Sequence, residues 1–159
     1  MKKLFLASIL AFSVLRATEE NIWESRGAYV KYGLSSPVVI PIFPALGFGY
    51  FWKEGIDFSV MVNYAVIAGA VDAKLLALPV VKERYQFGVG VAYIYQLDDF
   101  EMFSKNALGV GGLIRFVKPE KKSFFQIEVT QPAIRFNSRA GSGKYWYLPN
   151  FGLMWGYRF

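Results

Sequence analysis

The chain has 159 residues, enough for one domain, and contains neither cysteine nor histidine. That excludes disulfides, thiol chemistry, zinc clusters and the usual Ser/His hydrolase arrangement. Hydrophobic residues reach 54% and charged residues only 19%, a balance that points to a membrane protein or a very large core. The formal charge is +6, but Lys2, Lys3 and Arg16 lie in the first 17 residues and leave +3 without them, a weak argument for nucleic acid.

Lys2 and Lys3 precede an apolar run, 4–15, that is too short to cross a bilayer as a helix. Leu15, Arg16 and the small Ala17 follow, then the polar Thr18-Glu19-Glu20-Asn21. This pattern predicts a cleavable helical signal peptide over 1–17 and a short periplasmic tail over 18–27. No cysteine follows the cut, so no lipid anchor is expected.

From residue 28 apolar residues recur with period two, as in strands with one greasy face. Strand 28–34 sets Val30, Tyr32 and Leu34 against Tyr29, Lys31 and Gly33. The segment 35–44 holds Pro37, Pro41 and Pro44 and reads as an apolar loop. Strand 45–52 sets Leu46, Phe48, Tyr50 and Trp52 against Ala45, Gly47, Gly49 and Phe51. Lys53-Glu54-Gly55 is a tight turn. Strand 56–66 sets Ile56, Phe58, Val60, Val62 and Tyr64 against Asp57, Ser59, Met61 and Asn63. A short connection, 67–71, leads to strand 72–78, whose composition also suits a helix. After a charged turn, 79–84, strand 85–95 turns Tyr85, Phe87, Val89, Val91, Tyr93 and Tyr95 one way. A polar loop, 96–106, carries Asp98, Asp99 and Glu101. Strand 107–116 has Arg115 on its inward face, and the charged turn 118–122 leads to strand 124–133. The longest polar connection, 135–149, precedes the last strand.

That last strand, 151–159, carries its greasy row on Phe151, Leu153, Trp155, Tyr157 and Phe159. Eight strands with alternating short charged and longer links, broken only by the short link after the third strand, match the pattern of a bacterial outer-membrane barrel. The terminal aromatic strand and the leader give the sharpest likeness, and the chain over 28–159 resembles small eight-stranded outer-membrane barrels of the OmpA/OmpX type. The resemblance implies an all-β, closed antiparallel up-and-down eight-stranded transmembrane β-barrel, exported to the outer membrane. It implies that Phe151, Leu153, Trp155, Tyr157 and Phe159 form a C-terminal assembly signal read by the barrel-insertion machinery. The partners it implies are outer-membrane lipids and lipopolysaccharide, with the protein a monomer.

Two other architectures fit less well. A soluble lipocalin-type barrel with the greasy face inward would expose mainly glycine and alanine. A membrane helix over 32–52 would contain three prolines and three glycines. The inward rows predict a polar lumen network of Lys31, Asp57, Asn63, Lys74, Gln86, Arg115, Glu128 and Arg158, paired because buried ions must be. Glycines at 47, 49, 88, 90, 109, 111, 152 and 156 would relieve crowding there. The binding candidates are Arg135, Arg139 and Lys144 with Tyr145, Trp146 and Tyr147, a loop whose cations suit phosphate or carboxylate. The competing reading of that loop is an interfacial aromatic belt with ordinary surface charges. A structural or surface-interaction role without catalysis, cofactor or metal is expected. The alternatives are a narrow pore for ions or small solutes and a lipid-modifying enzyme; the enzyme would lack the histidine that such barrels use.

Overall fold

A computed structural model describes residues 27–36, 42–52, 55–65, 68–82, 84–99, 101–118 and 121–159. The expected signal peptide, nearly all of the tail, and Pro37 and Pro41 lie outside the described residues. Eight strands run in chain order: β1 (Gly27–Ser36), β2 (Phe43–Trp52), β3 (Ile56–Ala65), β4 (Ala68–Val81), β5 (Tyr85–Asp98), β6 (Lys105–Val117), β7 (Ser123–Arg135) and β8 (Asn150–Arg158). Each pairs antiparallel with the next, and β1 pairs with β8, closing the sheet into a barrel. Closure leaves no open strand edge. The β2–β3, β4–β5 and β6–β7 connections lie at one end, called here the turn end. The remaining connections lie at the other, the loop end.

The strand alternation sorts residues as the sequence predicts, with the greasy rows outside. Leu46, Phe48, Val62, Leu75, Val110 and Trp155 face outward and are exposed. Among the described residues no charged side chain interrupts these outward rows between the strand ends. Outward aromatics pair near the turn end, as in Tyr50–Trp52 (4.8 Å between ring centroids), Phe125–Trp155 (5.2 Å) and Tyr157–Phe159 (5.9 Å). Tyr93 and Phe136 pair near the loop end at 6.3 Å.

The strand bounds correct the sequence reading at several places. β4 is the longest departure, running over 14 residues where 72–78 is expected. Ala68–Val71 are paired strand rather than connection, and Ala65 stands opposite Ala68. Pro79 does not end β4, because the register shifts there. Ala77 faces Val89 and Val80 faces Phe87, so β4 places two residues against Gly88 alone. A bulge absorbs the missing proline N–H. The same device appears at Pro132–Ala133 in β7, where Leu108 faces Ile134 and Gly109 faces Pro132. Phe43 and Pro44, expected in a loop, begin β2, and Ser35 and Ser36 end β1. β5 and β6 also extend into the expected loop 96–106, to Asp98 and from Lys105.

Side chains fill the lumen. Phe51, Leu76, Leu78 and Leu113 form one apolar cluster, and Tyr29, Val117 and Phe124 a second. Ala45, Met61 and Met154 form a third. Between them lies a layer of charge.

Candidate functional site

Six strands place polar side chains into that layer, each from an inward position of its alternation. Glu128 on β7 is its centre. Its Oε1 accepts from Lys31 Nζ on β1, and its Oε2 accepts from Lys74 Nζ on β4 at 2.6 Å. Gln126 Nε2 donates a third bond to Glu128 Oε1 at 2.7 Å. Lys74 also donates to Asp72 Oδ2 (3.0 Å), which Thr130 Oγ1 approaches equally closely. Lys31 donates to Ser59 Oγ at 3.2 Å.

Arg115 on β6 joins the other half of the layer. Its guanidinium donates to Gln126 Oε1 (2.6 Å), Gln86 Oε1 (3.2 Å) and Asp57 Oδ2 (2.7 Å). The Tyr29 hydroxyl donates to the second Asp57 oxygen at 2.7 Å. Tyr29 and Phe124 meet edge to face, 5.4 Å between centroids, and the Arg115 guanidinium caps the pair at 4.7 Å from each ring. Two glycines make room for these rings. A Cβ at Gly49 would strike the Tyr29 ring, and one at Gly156 would strike the Phe124 ring. β2 and β8 therefore give glycine backbone, not side chains, to this level of the lumen.

Three cations, Lys31, Lys74 and Arg115, meet three carboxylates, Asp57, Asp72 and Glu128, and all six are buried. Taking isolated ions out of water is costly, and the pairing offsets it, with Asp72 Oδ1 left without a hydrogen bond. The connected chain runs from Tyr29 through Asp57, Arg115, Gln126, Glu128 and Lys74 to Asp72 and Thr130. It crosses the lumen and fills it.

Of the eight lumen residues expected from sequence, Lys31, Asp57, Lys74, Gln86, Arg115 and Glu128 meet in this network. Asn63 is inward but stands apart, donating to Ser35 Oγ at 2.6 Å. Arg158 is not part of the network. It is half-buried at the turn end, where it donates to the Lys121 carbonyl at 3.2 Å. Asp72, Gln126 and Thr130 are not among the expected lumen residues, although Gln126 and Thr130 share the face of Glu128 opposite the apolar row of the expected strand 124–133. Asp72 begins the weakest expected strand, and Gln126 and Thr130 are neutral. Their inward parity, shared with Lys74 and Glu128, is the signal that could have found them.

The loop end carries the other candidates. The connection after β7 includes a short 3-10 turn, Arg139–Ser142, capped by Ser138, whose Oγ accepts from Gly141 N. Asn106 Nδ2 donates to the same oxygen at 2.9 Å. Tyr145 N bonds Met102 O (2.8 Å), tying this connection to the one after β5, and Gln131 Nε2 on β7 bonds Tyr147 O (2.9 Å). Lys105, which the sequence reading leaves in a loop, is fully buried, and its Nζ donates to Leu148 O and to Asn150 Oδ1. Arg135 is exposed, its guanidinium 5.9 Å from the Trp146 ring, and Lys144 Nζ lies 5.4 Å from the Tyr145 ring. Tyr147 is exposed. The Arg139 side chain lies outside the described part of the structure. Asp98 turns its carboxylate back on its own loop, accepting from Phe103 N. Among the described residues no three acidic groups converge as a metal site would require.

No protein-family model and no characterised protein sequence matches the chain. Among solved structures it is similar to the outer membrane protein OprG from Pseudomonas aeruginosa, at 14% identity and a TM-score of 0.45. The alignment covers 84% of this chain and 96% of that one.

Proposed function

We propose that this protein is an integral outer-membrane barrel with a structural or surface-interaction role, a side-chain-filled lumen and no catalysis. The observation that carries the reading is an inverted distribution of polarity. Lys31 and Asp57 are 0% exposed, whereas Leu46 is 62% and Phe48 63% exposed. In water that arrangement would expose a continuous apolar wall. In hydrocarbon it is the stable one, because a closed barrel pairs its backbone and hides its charges.

The paired charge layer supports a plugged rather than a conducting lumen. The cations and aromatics at the loop end, Arg135, Lys144, Tyr145, Trp146 and Tyr147, suit a surface facing lipopolysaccharide phosphates or a partner.

The first test is solubility after removal of the leader. The protein is expected to need detergent and to show heat-modifiable gel mobility. A protein soluble without detergent overturns the reading. Planar-bilayer recordings are expected to show no steady conductance, and conductance that Arg115→Ala alters would favour a pore. Incubation with lipid A is expected to leave its mass unchanged.

A further inference from the structure

The two barrel ends differ in charge. At the loop end Asp98, Asp99 and Glu101 stand against Arg135, Arg139, Lys144 and the buried Lys105, an excess of one positive charge. At the turn end Lys82, Arg84, Lys118, Lys121 and Lys122 are all exposed, and the same two turns hold only Glu83 and Glu120 against them. Backbone bonds join these turns into one arc. Val117 N donates to Arg84 O, and Arg158 N donates to Lys122 O, both at 2.8 Å. The arc thus follows the rim from β4 to β8.

From this arc we infer a binding surface for anionic glycerophospholipid headgroups, of the phosphatidylglycerol class, at the turn end. The inference rests on the membrane reading above and extends it to one leaflet, the periplasmic one. Its position beside the aromatic belt points to lipid. Arg84 adjoins Tyr85, Lys118 follows Phe116 by two residues, and Phe125, Trp155 and Tyr157 are outward on the same arc. Aromatic rings settle at the headgroup boundary, so cations just beyond them lie at phosphate depth. Among the described residues the lumen at this end is lined by the apolar Phe51, Leu78 and Val117, a poor lining for an acidic polymer.

The test uses the full chain carrying Trp23→Phe and Trp146→Phe, so that Trp52 and Trp155 report on the turn end. It is reconstituted in phosphatidylcholine vesicles containing either brominated phosphatidylglycerol or brominated phosphatidylcholine as a minor component. Phosphatidylglycerol is expected to be enriched about tenfold at the reporters at low salt, and high salt to abolish the preference. Changing Lys82, Lys118, Lys121 and Lys122 together to Gln is expected to bring the two lipids to parity. These side chains are exposed, so heat-modifiable mobility should survive and verify folding. Equal quenching in the unsubstituted arc, or a preference that the four changes leave intact, overturns the inference while the barrel reading stands. Equal competition by a soluble acidic polymer would overturn the lipid assignment. Failure to form the heat-modifiable species even in phosphatidylcholine alone would overturn the barrel reading and this inference with it.

Discussion

The charge layer of the lumen and the connection 136–149 both place cations beside acceptors and aromatic rings, yet they are built differently. In the lumen the partners come from six strands whose positions are fixed by the closed ladder. Glu128 meets Lys31 and Lys74 at sequence separations of 97 and 54. At the loop end the fastening is mostly local or to backbone carbonyls, as with Ser138 and Gly141 or Lys105 and Leu148. A buried network is rigid because each missing partner leaves an ion stranded. The loop can shed one bond and let water replace it.

Substitutions should separate the two regions by size of effect. Glu128→Ala leaves Lys31 with only the Ser59 hydroxyl and Lys74 with Asp72 alone, and is expected to lower stability by about 3–5 kcal/mol. Denaturant unfolding in lipid vesicles measures this, and a loss no larger than that of a surface change would break the comparison. Gly156→Val drives a side chain into the Phe124 ring and displaces it from Tyr29 and Arg115, for a loss of about 1–3 kcal/mol. Its effect should shrink when Phe124→Ala is added, and simple additivity would show that the ring is not what the glycine accommodates. Lys105→Met leaves the Leu148 carbonyl and Asn150 without their donor, a loss of about 1–3 kcal/mol. It should speed proteolysis within 136–149 while the barrel stays heat-modifiable. Arg135→Ala removes an exposed cation–π contact and is expected to change stability by less than about 1 kcal/mol. A larger fall would move the loop into the same class as the lumen.

The fold was legible because a two-residue period survives in nearly every strand, and the apolar row identifies the outward face. What escaped has a common physical cause. At the loop end the inward residues Gln96, Lys105 and Asn150 are polar and stand above the apolar rows, so they resemble loop. β4 was blurred because its outward row includes Gly69, Ala73 and Ala77, which give little hydrophobic contrast, and because Pro79 is accommodated by a bulge that no local pattern announces. Glu128 and Arg115 were legible as inward charges, but their partners were not. Pairing across a lumen depends on register and on ring positions over Gly49 and Gly156, and neither is written in any one strand.

The position of Lys31 gives the closing seam an electrostatic role. β1 pairs with β8 to complete the ring, and β1 contributes a cation but no anion to the central layer. A sheet assembled only from β2 to β8 would hold Asp57, Asp72 and Glu128 against Lys74 and Arg115, one negative charge in excess. Docking β1 supplies the missing positive charge and the Tyr29 hydroxyl together. The strand that completes the ring against β8 is thus also the strand that brings the interior to neutrality.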